Sequence, residues 1–253
     1  MKTGLQGRKI MPRANRHFLP GQVWHITHRC HKKEYLLKFA RDRACWIRWL
    51  FEARKRYGLC VLNYMVTSNH VHLLVKDNGK DVIPKSMQLV AGRTAQAYNR
   101  RKSRNGAFWE DRYHATAVQA DEHFFRCMVY IDLNMVRAGI VQHPEKWTHC
   151  GYHEIQRSPK RYRIIDQTVL LEICQFSSHA DLQSVHRNWI SDAIRRDESK
   201  SRDPRWTESV AVGQREYIES IQQTLGSRAV GRKTVELKSG YQLKETDAIY
   251  VTK

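Results

Sequence analysis

The chain has 253 residues, and 44 basic side chains against 25 acidic ones leave a formal charge of +19. A 41% hydrophobic content with seven Trp, eleven Tyr and seven Phe supplies a real core and excludes global disorder. No apolar run reaches the ~18 residues of a membrane span, the basic start lacks the apolar stretch of a signal peptide, and the charge points to a polyanionic partner, nucleic acid first.

The expected setting is the cytosol, with association to the nucleoid when DNA is bound. The length exceeds a typical domain of ~100–200 residues, which predicts one main domain plus an appendage. Residues 1–20 carry Lys2, Arg8, Lys9, Arg13 and Arg16 and no acidic side chain, and read as a basic arm for a phosphate backbone. Gln22–Cys30 is rich in β-branched and aromatic residues and predicts a strand. Phe39–Tyr57 predicts a helix with Ala44, Ile47, Leu50 and Phe51 near one face and Gly58 as its stop. Leu59–Val66 and His70–Lys76 predict a strand pair joined by the turn residues Thr67, Ser68 and Asn69.

Pro84 suits the first turn of a second helix running to about Lys102, where Arg100, Arg101, Lys102 and Arg104 form a basic block. Phe108–Val118 is extended, and Asp121 caps a third helix to about Arg137, with Gly139 after it. Residues 156–163 read as a linker. Helical patterns follow at 166–174, 179–197 and 207–225, then a basic tail with Arg228, Arg232, Lys233 and Lys238. The expected fold is α+β: a ferredoxin-like, split βαβ antiparallel sheet with helices on one face and the other open for a ligand. The domain plan is an arm at 1–20, a main domain at 21–155 and a mostly helical accessory region at 164–253. Cys30, Cys45, Cys60, Cys127, Cys150 and Cys174 contain no CxxC pair and read as reduced packing thiols.

Two constellations carry chemistry. Alternate strand residues share a face, so His70 and His72 point together while Val71, Leu73 and Val75 point into the core. Two neutral imidazoles side by side can hold a divalent metal, although a lone His-x-His in a strand is commonly structural. On the third helix Phe124, Met128, Ile131 and Met135 form the packing stripe. His123, Arg126, Tyr130, Asn134 and Arg137 fall on a second, polar stripe, with Tyr130 and Asn134 one turn apart. Tyr130 as a boundary aromatic and Asn134 as a solvated amide is the plainer alternative. The run His25-Ile26-Thr27-His28-Arg29-Cys30-His31 holds many donors but no second pair at zinc-finger spacing. His25, Thr27 and Arg29 are expected to flank the active face or the DNA. Phe108 and Trp109 either stack on an unpaired base or plug the interior beneath the third helix. Glu110 orients Arg112 or His114, or meets DNA, while Trp46 and Trp49 read as core.

Together, His70-Val71-His72, Phe108-Trp109-Glu110 and Tyr130-Ile131-Asp132-Leu133-Asn134-Met135-Val136-Arg137-Ala138-Gly139 closely resemble the one-tyrosine HUH transposases. Among these they resemble the REP-associated tyrosine transposases of bacteria. The resemblance covers about residues 11–155, and Gly21–Thr27 looks like the family's first strand. Met135 departs from the Pro that many relatives carry, a residue that shapes the helix and does not react. The resemblance implies that Tyr130 attacks a phosphodiester of single-stranded, hairpin-forming DNA and forms a 5′-phosphotyrosine. It implies Mg²⁺ or Mn²⁺ on His70, His72 and Asn134, with repetitive extragenic palindromes as substrate and either a monomer or a homodimer as the working unit. No nucleotide cofactor is expected, since no GxxxxGK[ST] occurs. A tyrosine of pKa ~10 needs help to ionise, from Arg126, Arg137, Lys76 or the metal. DNA contacts are expected from Arg8, Lys9, Arg13, Arg16, Arg100, Arg101, Lys102, Arg104, Trp109, Arg112, Arg126 and Arg137. Trp206–Gly213 resembles the extension of longer members, which either packs on the core or adds grip through Arg228, Arg232 and Lys233. The rival function is a single-strand nucleic-acid-binding module on the same fold that does not cut. A metal hydrolase using only the two histidines is a third.

Overall fold

The computed structural model describes residues 19–196 and 202–245. Its first four strands are β1 (Val23–Arg29), β2 (Cys60–Val66), β3 (His70–Lys76) and β4 (His114–Val118). They lie in the order β2-β3-β1-β4 and pair antiparallel throughout. This is the split βαβ order expected from the sequence. Helix α1 (Ala40–Tyr57) ends at Gly58, whose φ of 69° is the left-handed cap that a side chain would resist. Helix α2 (Val82–Lys102) carries Pro84 in its first turn.

The register sorts the sheet into two faces. His25, Thr27 and Arg29 sit opposite Leu74, His72 and His70, so these side chains share a face. Trp24, Ile26 and His28 share the other face with Val75, Leu73 and Val71. The helix pair α1 and α2 covers this second face: Trp109 stacks on His28 and donates its Nε1–H to the Ala91 carbonyl of α2 at 3.0 Å.

The first face is not open. Helix α3 (Glu122–Asp132) lies across it, with Asn63 of β2 donating to Asp132 at 3.0 Å. This is why every residue of β2 is buried and its sequence reads as a continuous run instead of an alternation. Asp121 caps α3 by accepting from the His123 N–H, as expected. The expected single helix to Arg137 is broken at Leu133, and α4 (Asn134–Arg137) follows. Arg137 Nη2 donates to the Tyr130 carbonyl at 3.2 Å beside the break.

After α5 (Tyr152–Gln156), α6 (Gln167–Cys174) and α7 (His179–Arg195), the described part of the C-terminal region holds more helix than strand, but it also contains strands that the sequence reading did not include. The segment 207–225 contains the end of α8 (Arg205–Glu208), the strand β5 (Ala211–Gly213) and α9 (Arg215–Leu225). The basic tail is a hairpin, β6 (Arg232–Leu237) and β7 (Gly240–Glu245). These strands extend the sheet to β2-β3-β1-β4-β5-β7-β6, with β5 parallel to β4. A three-residue strand is too short to show a period, and the outermost strand β6 is exposed and charged, as edge strands are. The region is therefore continuous with the sheet of the main domain. All six cysteines are free thiols, five of them buried.

Candidate active site

The cleft of about 420 Å³ at the ends of β1 and β3 gathers His70, His72, Tyr130 and Asn134, with Arg29, Arg112, Arg137 and Arg202 around them. The hairpin turn prepares His70. Thr67 Oγ1 donates to the His70 carbonyl (2.8 Å) and accepts from the backbone N–H groups of Asn69 (3.3 Å) and His70 (3.1 Å). The Asn69 Oδ1 accepts from His70 Nδ1 at 2.8 Å. A neutral imidazole has one N–H, so His70 turns its bare Nε2 away from the turn. His72 lies 4.9 Å from His70 between ring centres, and its Nε2 accepts from the Asn134 amide at 2.7 Å.

Burial holds the imidazoles neutral. It depresses His70 to about 4, with Arg29 adding to the effect, and pushes His72 well below the ordinary histidine value. Neutral rings are the form that binds metal. These residues fit a weakly held divalent cation, with two imidazole lone pairs and an amide on one wall of the cleft. Among the described residues no group of three His, Cys, Asp or Glu side chains could hold an ion.

Tyr130 is 7% exposed and stands edge-on to His72, with ring centres 5.8 Å apart. Among the described residues its hydroxyl has no hydrogen-bond partner. Burial raises its pKa, while Arg137 and Arg202 oppose that rise, the Arg137 guanidinium lying 4.3 Å from the ring centre. Of the groups expected to assist ionisation, Arg137 is in place. Arg126 pairs with Glu122 at 3.0 Å and lines a neighbouring cleft that Tyr130 and Arg137 also line, and Lys76 lies at the far end of β3 opposite Val23. His123 shares the helical stripe of Tyr130 in sequence, but it is fully buried and bonded to Asp121.

Other expected DNA contacts are distributed over the surface. Arg100 and Arg104 line a separate shallow groove, Arg101 is paired with Asp42, and Lys102 stands over Phe39. Arg8, Lys9, Arg13 and Arg16 lie outside the described residues. Trp109 uses one ring face and its N–H inside the protein, and Phe108 is 2% exposed, which makes the pair a plug on the α2 side. Glu110 approaches Arg29 at 3.9 Å. His25 and His28 fall on opposite sheet faces, so the histidine-rich run does not gather a zinc site. Arg202 and Thr207 were not foreseen. They reach the cleft from the C-terminal region, and no spacing in the sequence announces them.

The α+β sheet thus sets paired imidazoles against a helix-borne tyrosine across an arginine-lined cleft. A sequence model of the family described as "Transposase IS200 like" matches residues 22–134. No curated protein sequence matches the chain. Among solved structures, the chain is similar to a REP-associated tyrosine transposase bound to a REP hairpin. The identity is 15% and the TM-score 0.49, with 62% of this chain and 94% of that one covered. It is also similar to a candidate transposase from Deinococcus radiodurans, at 18% identity and a TM-score of 0.34, with 53% and 97% covered.

Proposed function

We propose that the protein is a metal-dependent tyrosine transposase that cuts and rejoins hairpin-forming single-stranded DNA through a 5′-phosphotyrosine. The observation that carries this reading is the meeting of Tyr130 with His70, His72 and Asn134 in one cleft bordered by arginines. Motif resemblance adds repetitive extragenic palindromes as the substrate. Tyr130 Oη attacks the phosphorus, the bond to the 3′ oxygen breaks, and the DNA beyond the cut stays on the tyrosine through its 5′ phosphate. The released 3′ hydroxyl, or another one, reverses the step, so the ester energy is kept and no nucleotide is consumed. Arg137 and Arg202 lower the cost of the phenolate and of charge on the phosphate. His70, His72 and Asn134 would hold Mg²⁺ or Mn²⁺, which supplies Lewis-acid polarisation of the scissile phosphate. Arg29 and Arg112, with the arm residues Arg8, Lys9, Arg13 and Arg16 and the basic block at Arg100, Arg101, Lys102 and Arg104, serve as phosphate contacts.

The test compares wild type with Tyr130→Phe on a labelled hairpin strand in Mg²⁺. Wild type is expected to give a protein–DNA adduct that survives a denaturing gel. The phenylalanine variant is expected to bind the strand and give none. An adduct from the variant would refute the nucleophile, and binding without an adduct from wild type would make the protein a non-cutting binder.

A further inference from the structure

His25 is fully buried on β1. Its ring lies parallel to that of His72, with 9° between the planes and 5.1 Å between centres. Its two nitrogens are both engaged. Nδ1 is 2.8 Å from the carbonyl oxygen of Trp206, 181 residues away in sequence, and Nε2 is 2.9 Å from His72 Nδ1. We infer that His25 is a positioning residue for the metal ligand His72, and that the Trp206 carbonyl, supplied by the C-terminal region, dictates which nitrogen of His72 carries the lone pair a cation would take, the one that accepts from the Asn134 amide in this structure. This rests on the metal reading of the cleft given above.

Proton placement fixes the tautomers. A carbonyl oxygen only accepts, so His25 Nδ1 must carry the hydrogen. A neutral imidazole has one N–H, which leaves His25 Nε2 bare and able only to accept. His72 Nδ1 must then donate to it, and His72 Nε2 is left with a lone pair. That nitrogen is the one facing Asn134, whose amide donates to it at 2.7 Å, in agreement with the chain of donors. The opposite tautomer would point an N–H at the cation and set two donors against each other at Asn134. Hydrogen bonds to the distal nitrogen of a ligand imidazole fix its tautomer and ring orientation and raise its basicity.

The segment that carries this acceptor is tied to β4, and Thr116 Oγ1 lies 3.3 Å from the Trp206 carbonyl itself. Thr116 Oγ1 donates to the Ser209 carbonyl at 2.7 Å, and His114 Nε2 reaches the same oxygen at 2.9 Å. Trp206 is 2% exposed, and just beyond α8 the strand β5 pairs Ala211 with Ala117 of β4. His25, His114 and Thr116 all lie on the sheet face that carries His72, as the register requires. The C-terminal region thus completes the site by contributing a backbone oxygen, a role separate from any grip on DNA through its arginines.

The test has two arms on the full chain. In the first, long-range ¹H–¹⁵N NMR of the metal-free wild type reads the tautomers. Nδ1–H forms of both His25 and His72 are expected, and an Nε2–H form of His72 would overturn the inference whatever any variant does. In the second, Mn²⁺ is titrated without DNA at fixed pH and followed by electron paramagnetic resonance. His25→Leu is expected to weaken binding about 10–100-fold. His25→Gln, which keeps an acceptor for His72 and a donor for the Trp206 carbonyl, is expected to restore most of it. Wild-type affinity in a folded His25→Leu protein would overturn the inference. Failure of the wild type itself to bind Mn²⁺ would instead strike the metal reading, and the NMR arm would still decide the proton chain. Should His25→Leu not fold, an unrestored affinity in His25→Gln would count against the inference.

Discussion

The two faces of the central sheet differ in what holds them together. On the α1/α2 side, Ile26, Val71, Leu73 and Val75 are fully buried, and their contribution is removal of apolar surface from water. On the α3 side, the buried set includes His25, Asn63, His72, Thr116 and Asp132, each joined to a named partner. Polar groups at that depth are tolerated only when paired. Asp132 shows how far this goes, accepting from Asn63 at 3.0 Å and facing His186 Nε2 at 2.8 Å, with both the carboxylate and the imidazole fully buried. One face is therefore a stability element, and the other gives up easy apolar packing for a fixed arrangement of donors and acceptors. The difference predicts that neighbouring residues on β3 will fail in opposite ways.

The largest expected effect is on His70→Ala. It removes bonds to Thr67 and Asn69 at the rim, costing about 1 kcal/mol of stability. Cleavage should be abolished while most single-strand binding survives, as gel-shift and cleavage assays on one preparation will show. Leu73→Ala should do the reverse. A fully buried leucine on the other face is worth about 2–5 kcal/mol by denaturant unfolding, yet cleavage per folded molecule should persist. Normal cutting by His70→Ala would break the contrast at its functional end.

Arg202→Ala sharpens the comparison from the C-terminal side. Arg202 lines the cleft and acts electrostatically on His70, His72 and Tyr130. Its loss should slow cleavage about tenfold and lower the slope of log affinity against log salt by about one. An unchanged rate and slope would place it outside the chemistry.

The smallest effect is on pH. Burial lowers His25 to about 3 and His70 to about 4, below the ordinary value near 6.5. Between about pH 4 and 6.5 the unfolded chain binds protons at these residues that the folded chain refuses. Unfolding free energy should therefore rise with pH through that window and lose this contribution to its slope above it. In His70→Ala the slope, measured by urea unfolding at several pH values, should be shallower.

Much of this was legible in the sequence because strands and helices have fixed periods. The alternation of His70 and His72 with Val71 and Leu73 placed the imidazoles on one face, and Tyr130 and Asn134 one turn apart brought them to the same cleft. Gly58 and Asp121 marked helix ends through local backbone and capping chemistry. What could not be read depended on long-range or backbone features. The break at Leu133, between α3 and α4, has no proline or glycine to announce it. Strand β5 is three residues long within a stretch of helical character. The Trp206 carbonyl that meets His25 is a backbone atom, which every residue possesses, and so has no sequence signature. Arg202 could not be distinguished from the other basic residues until the chain brought it back to the cleft.

The most direct test of the central claim is to identify the bond itself. Wild-type protein reacted with a hairpin strand in Mg²⁺ would be digested with protease and nuclease, and the modified peptide sequenced by mass spectrometry. The expected product is a peptide carrying a nucleotide on Tyr130 through its 5′ phosphate. A nucleotide on Tyr113 or any other residue, or one joined through a 3′ phosphate, would contradict the mechanism.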